Sequence, residues 1–164
     1  MPLPQIKNGI YIEGEKIAVC QRCNYAELLE GRGLEPLPNR MRVLEVIGGN
    51  PSPLSAQEIF ATLGRTADIN RVTVYRILEL LVEKGLVERL SGGGRSRLYG
   101  MAPNANHPAH PHFHCRSCGL MQCLQPDSLT VDLTGVERSF AGEVQAVEVR
   151  LEGICKNCLK AARR

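Results

Sequence analysis

Between His107 and Cys123 the chain reads HPAHPHFHCRSCGLMQC, which gathers all four histidines and three of the seven cysteines into one short stretch. Two C-x-x-C pairs stand out, Cys115 with Cys118 and Cys155 with Cys158. Each pair is a tight turn that aims two sulfurs at one point, and two such turns supply the four soft donors of a tetrahedral structural zinc. The 36 residues between the pairs exceed a compact zinc ribbon and must hold folded structure of their own. An ion gripping both ends would stabilise that module, because it binds the folded form and not the open chain. A thiol-redox pair and four unrelated buried thiols are the other readings of these residues, and the doubled spacing favours the metal.

The chain has 164 residues, 43% hydrophobic and 23% charged, the profile of a globular protein of one domain or two small ones. The opening MPLPQIKNGIYIEGEK has no signal-like apolar run, and no segment approaches the ~20 apolar residues of a membrane span, so the expectation is a cytoplasmic protein without a membrane partner. In a reducing compartment paired cysteines point to metal rather than disulfides. Only 4% of residues are aromatic and none is tryptophan, which argues against a large pocket for an organic cofactor. The net charge of +3 does not by itself mark a nucleic-acid binder, but Lys plus Arg outnumber Asp plus Glu by 9 to 6 in residues 39–101.

That basic segment has the elements of a reader of DNA. Met41, Leu44 and Ile47 form a helical stripe ending at Gly48-Gly49, where positive φ is available. Ser55-Ala-Gln-Glu58 matches a capping box opening a second helix to about Gly64. Asn70 caps a third helix whose face of Val74, Ile77, Leu78 and Leu81 has core spacing. Leu86–Leu90 and Arg97–Met101 then read as two strands around SGGGRS. Three helices and a hairpin make a winged helix. Its third helix, Asn70-Arg71-Val-Thr73-Val-Tyr75-Arg76, would face the major groove of double-stranded operator DNA, with Arg95 and Arg97 of the wing reaching the backbone or minor groove. A solvated helix face explains the third helix alone equally well; the hairpin after it tips the reading toward DNA.

Pro103 to Pro111 marks a boundary, beyond which Val147–Glu152 alternates as a strand, Leu120–Leu124 is a weaker strand, and Asp127–Phe140 contains a helix. The fold class is therefore α+β: an N-terminal winged helix followed by a small α/β domain carrying a structural zinc.

VTVYR on a third helix, a glycine-rich wing, a His-rich hinge running into CRSCG and a distal CKNC together resemble the ferric uptake regulator family, over about residues 28–160. The resemblance implies an extension over 1–27, a DNA-binding domain over 28–101, a hinge over 102–111 and a dimerisation and metal-binding domain over 112–164. It also implies a homodimer, and a second, regulatory metal near the hinge held by His110 and His112. The acidic ligand of the family pattern falls on Cys123, and a thiolate there shifts preference from iron or manganese toward zinc, as in the zinc-uptake branch, and away from the peroxide-sensing one. The donor expected from the DNA-binding domain falls on Pro53, which has none, so Cys20 and Cys23 of the extension are candidates to complete the site. His114 reads as a core or supporting residue and His107 as a solvated hinge residue, each a weak ligand candidate only.

The function implied is a zinc-dependent dimeric repressor of metal-uptake genes, in which ligation across the hinge favours the DNA-competent orientation. Its DNA binding should weaken as pH falls through the histidine range. Sensing of iron, another metal or oxidant is the alternative within the family. A zinc hydrolase or thiol oxidoreductase is the alternative outside it, disfavoured because no HExxH-like helix or glutamate lies near the histidines.

Overall fold

The computed structural model describes residues 23–163 except 67, 93–96, 146 and 148, together with the backbone of 9–12 and 15–18. Those two short segments are β1 (Gly9–Ile12) and β2 (Glu15–Ala18), paired antiparallel. Helix α1 (Tyr25–Glu30) follows, capped by Asn24, whose Oδ1 accepts from the Glu27 amide.

The middle segment builds the expected winged helix from local signals. Helix α2 (Pro38–Gly48) starts with proline at its first position, where no N–H is needed. It ends without the positive φ expected at Gly48-Gly49: Gly49 has φ −80° and closes the helix with an α-type turn. Gly48 leaves room for Tyr25 instead, since a Cβ there would run into the Tyr25 ring and hydroxyl and push the end of that side chain aside. Strand β3 (Leu54–Ser55) leads into α3 (Ala56–Leu63), where the Glu58 amide donates to Ser55 Oγ and the Ser55 amide to Glu58, completing the capping box. Helix α4 (Arg71–Glu83) is capped by Asn70, whose Oδ1 accepts from the Thr73 amide at 2.8 Å. Gly85, at φ +65°, turns the chain into β4 (Val87–Ser91), and β5 (Arg97–Met101) returns beside it with β3 on its far edge.

Val43, Leu44, Ile59, Leu63, Val74, Leu78 and Leu81 are all at most 1% exposed, and α1 adds Leu29 to the same core. At about 25 cal/mol per Å² of apolar surface, side chains buried this completely stabilise by about 1.5–3 kcal/mol each. This half can hold itself together.

The C-terminal half cannot do so by the same means. Its three-stranded sheet runs β7–β6–β8, from β6 (His112–Cys115), β7 (Met121–Cys123) and β8 (Arg150–Gly153), with β6 and β7 antiparallel and β6 and β8 parallel. Helix α5 (Thr134–Ser139) lies between β7 and β8, and α6 (Lys156–Ala162) ends the domain. The strand expected from Val147 is shorter: β8 begins at Arg150, which pairs with His112, the first residue of β6, and the His112 amide donates to the Val149 carbonyl. The helix expected within Asp127–Phe140 is confined to one short segment. Among the described residues, all exposed large hydrophobic side chains except Leu37, Val72 and Tyr75 lie between Leu120 and Leu159, while the buried groups here are chiefly Cys115, Met121, Cys123, Cys155, His112 and His114. Sulfur and imidazole stand where a larger domain would bury leucine. Arg150 joins the two halves, donating to the Ser91 carbonyl at the end of β4 and pairing with Glu152.

Candidate metal centres

The four-cysteine cluster is assembled by two turns docked on each other. Strand β6 runs into the first turn, which the Gly119 amide closes onto the Cys115 carbonyl (2.9 Å) with Gly119 at φ +75°, a conformation glycine adopts without strain. The second turn is the start of α6, where Cys155 takes the N-cap position and Cys158 follows one turn on. The Arg116 amide donates to the Gly153 carbonyl and locks the turns together. The Sγ atoms of Cys115 and Cys158 are 3.9 Å apart, and those of Cys118 and Cys155 are 3.8 Å apart. Four sulfurs held about 2.3 Å from one tetrahedral zinc stand about 3.8 Å from each other, so the spacing fits that ion.

The protonation chemistry fits as well. Amide N–H groups of Cys155 and Cys118 directed at the Cys115 sulfur hold its thiol down at about 6. The Cys158 thiol, although the Ser117 hydroxyl acts to lower it, is pushed up to about 12 by the sulfurs of Cys155, Cys118 and Cys115. Crowded thiols cannot all ionise without a cation among them.

The second cluster depends on strand register. His112 on β6 and Cys123 on β7 are direct cross-strand partners, which brings an imidazole and a thiol far apart in sequence to one face. His110, just before the strand, completes a group whose donor atoms all lie within 4.8 Å of one another. His110 Nδ1 stands 3.0 Å from the Pro108 carbonyl, so the Nδ1–H form donates there. That leaves a bare lone pair on Nε2, which is buried with no hydrogen-bond partner. An imidazole anchored through one nitrogen with the other orphaned is the arrangement of a metal ligand.

Burial sets the charges. It lowers His112 to about 4, with a smaller push from His110, and lowers His107 to about 4 in the same way. Burial also raises the Cys123 thiol to about 12, assisted by the Glu88 carboxylate. His112 is thus a neutral donor at neutral pH, and Cys123 is a thiol that ionises only against a cation. Loading an ion there must therefore expel the Cys123 proton, while His112 has none to lose. The cavity around the cluster takes Ile47, Gly48 and Pro53 from the helical half, Glu88 and Met101 from the wing, and His107 from the hinge, so the site lies where the two halves meet.

Cys23 does not join this group. It is disulfide-bonded and packs against the N-terminal core, and its Sγ, which then has no proton to give, lies 3.6 Å from Asn104 Oδ1. Cys20 lies outside the described residues. His114 is buried on β6, with Nδ1 3.4 Å from an Arg150 guanidinium nitrogen. On α4, Arg71, Tyr75 and Arg76 are exposed, whereas Asn70 and Thr73 spend their side chains on the cap, Thr73 Oγ1 donating to Asn70 Oδ1 at 3.0 Å. The Arg71 guanidinium also sits over the Phe60 ring at 5.4 Å. Arg97 is exposed on β5, and Arg95 lies outside the described residues. Glu88, which sequence reasoning did not single out, borders the site through the pairing of β4 with β5; no local pattern announces it.

Comparison with known proteins agrees with this architecture. Residues 32–152 match the model of the ferric uptake regulator family. The ferric uptake regulation protein of Bacillus subtilis (strain 168) is 27% identical over 123 residues, 74% of this chain and 83% of that protein. Among solved structures, the Vibrio cholerae ferric uptake regulator superposes with a TM-score of 0.64 at 23% identity, covering 79% of this chain and 98% of that one. Holo XcZur superposes with a TM-score of 0.55 at 26% identity, covering 80% and 91%. A winged helix joined to a cysteine-clamped α/β domain, with a family match across most of its length, makes this chain a member of the ferric uptake regulator family: a metal-responsive transcriptional regulator and not an enzyme.

Proposed function

We propose that the chain is a zinc-responsive homodimeric repressor acting on double-stranded operator DNA of metal-uptake genes. The observation that carries the zinc assignment is the donor set of the hinge cluster, one thiolate with two imidazoles at His110, His112 and Cys123. Sulfur with nitrogen favours zinc over iron or manganese, which take more oxygen. The four cysteines Cys115, Cys118, Cys155 and Cys158 would hold a second, permanent zinc whose task is to replace a missing apolar core.

In this reading the division into an extension (1–27), a DNA-binding domain (28–101), a hinge (102–111) and a dimerisation domain (112–164) is functional. The number of large apolar side chains left exposed from Leu120 to Leu159 supports a second copy as their cover. Arg71, Tyr75 and Arg76 on α4, with Arg97 and Arg95 of the wing, would contact DNA, and Asn70 and Thr73 would orient them through the cap. Bound zinc would supply a fixed charge that draws thiolate and imidazoles together. His110 lies on the hinge, and His112 and Cys123 lie on the C-terminal sheet, so their convergence restricts how the winged helix is presented.

The test is DNA binding by the full chain to fragments of its own genome, with zinc, iron(II) and manganese(II) each buffered over a range of free concentrations. Zinc is expected to promote sequence-selective binding by a dimer at the lowest free concentration, with Arg76→Ala weakening it. Activation by iron or manganese at lower free concentration than zinc, or binding indifferent to all three, would overturn the proposal.

A further inference from the structure

The hinge cluster so far offers three protein donors, one fewer than the four of a closed tetrahedral zinc site. We propose that His107 is its fourth ligand, completing a three-imidazole, one-thiolate site; this rests on the zinc reading above.

Three observations lead there. The His107 ring packs edge-on against that of His110, with centroids 4.9 Å apart, and His110 in turn lies 4.7 Å from His112, so the three imidazoles form one continuous group. His107 is 8% exposed and lines the same cavity as His110, His112 and Cys123. No side-chain hydrogen bond engages its ring among the described residues, so its nitrogens are open to an incoming ion.

Its position is built by the backbone. Asn104 and His107 exchange both amide bonds, at 2.8 and 3.1 Å, and the Asn106 amide donates to Asn104 Oδ1 at 2.9 Å, so residues 104–107 form a closed turn. That turn delivers His107 into the cavity from the hinge side. Its nitrogens stand outside the 4.8 Å group of the other three donors, and with the backbone held by the turn a side-chain rotation is the motion that brings one in. Pro53, which also lines the cavity, offers no donor. Glu88 is the rival, an oxygen donor lining the same cavity. His107 is preferred because its ring already packs against that of His110, and imidazole suits zinc better than a carboxylate, which suits harder ions.

The consequence is that residues on the hinge itself, and not only its C-terminal end, are drawn in by the ion. The experiment uses the full chain under reducing conditions, measuring metal per chain, zinc affinity of the weaker site and the absorption spectrum with cobalt(II) in that site. His107→Ala should keep the tightly held zinc and weaken the second site by at least about tenfold, the lower end of what loss of even an outer partner of a ligand costs. His107→Cys should restore affinity and intensify the sulfur-to-cobalt charge-transfer absorption, which a residue that merely supports the fold would not do. It also keeps the question answerable if the alanine variant is unstable. Wild-type affinity and spectrum in His107→Ala, with loss in His110→Ala, would overturn the fourth-ligand assignment and leave the zinc site standing. The same holds if Glu88→Gln removes the ion and His107→Ala does not. An unchanged second site in His110→Ala as well would remove the site and this proposal together.

Discussion

The Cys123 thiol is the group by which the hinge cluster should report pH. It is held at about 12 by burial and by Glu88, while burial holds His112 at about 4. At neutral pH the thiol is therefore fully protonated and His112 is neutral. Loading zinc must expel the thiol proton, so the protonated form competes with the ion and affinity is lost as pH falls. One proton per ion makes affinity change tenfold per pH unit, about 1.36 kcal/mol, or about 2.7 kcal/mol between pH 7 and 9. The distinguishing observation lies at the alkaline end. A thiol with its ordinary value near 8.5 would be mostly ionised at pH 9 and release only about a quarter of a proton. The buried thiol should still release close to a whole one. Calorimetric titration of protein stripped only of its weaker ion, repeated in buffers of different ionisation enthalpy, counts those protons directly. Release dropping toward a quarter at pH 9, or full release retained in Cys123→Ser, would refute the argument from burial.

Two further outcomes follow from the way each half is held together. Cys155→Ser removes a sulfur ligand while keeping the residue 155 amide that donates to the Cys115 sulfur, so it should abolish the tightly held zinc, worth about 10–16 kcal/mol in small zinc modules, and expose the chain beyond His112 to limited proteolysis while the winged helix stays resistant. Asn70→Ala should cost about 1 kcal/mol in the denaturant midpoint by uncapping α4 and freeing Thr73, with zinc per chain unchanged.

These differences trace how far local pattern reaches. The amphipathic face of α4, the Ser55–Glu58 capping box and the two C-x-x-C turns are set by residues within one or two turns of each other, so the winged helix and the four-cysteine cluster were legible in the sequence. The strand read from Val147 was too long, because its length depends on how far β6 runs beside it, and β6 begins at His112. The glycines ending α2 were legible as a stop but not as a space for Tyr25, a residue in another helix.

What the sequence determined by itself is therefore the inventory: four sulfurs in two turns, a capped helix bearing arginines, and a histidine-rich hinge. The tertiary structure alone decided which of the remaining donors meet. Cys123 faces His112 only because β6 and β7 pair in that register, and a slip of one residue would turn the thiol to the other face of the sheet. Cys23 is held instead against the N-terminal core, and His107 is carried to the cavity by the Asn104 turn. Short-range spacing fixes a turn, but a site made from strands and a hinge is fixed by long-range pairing, which no single stretch of residues records.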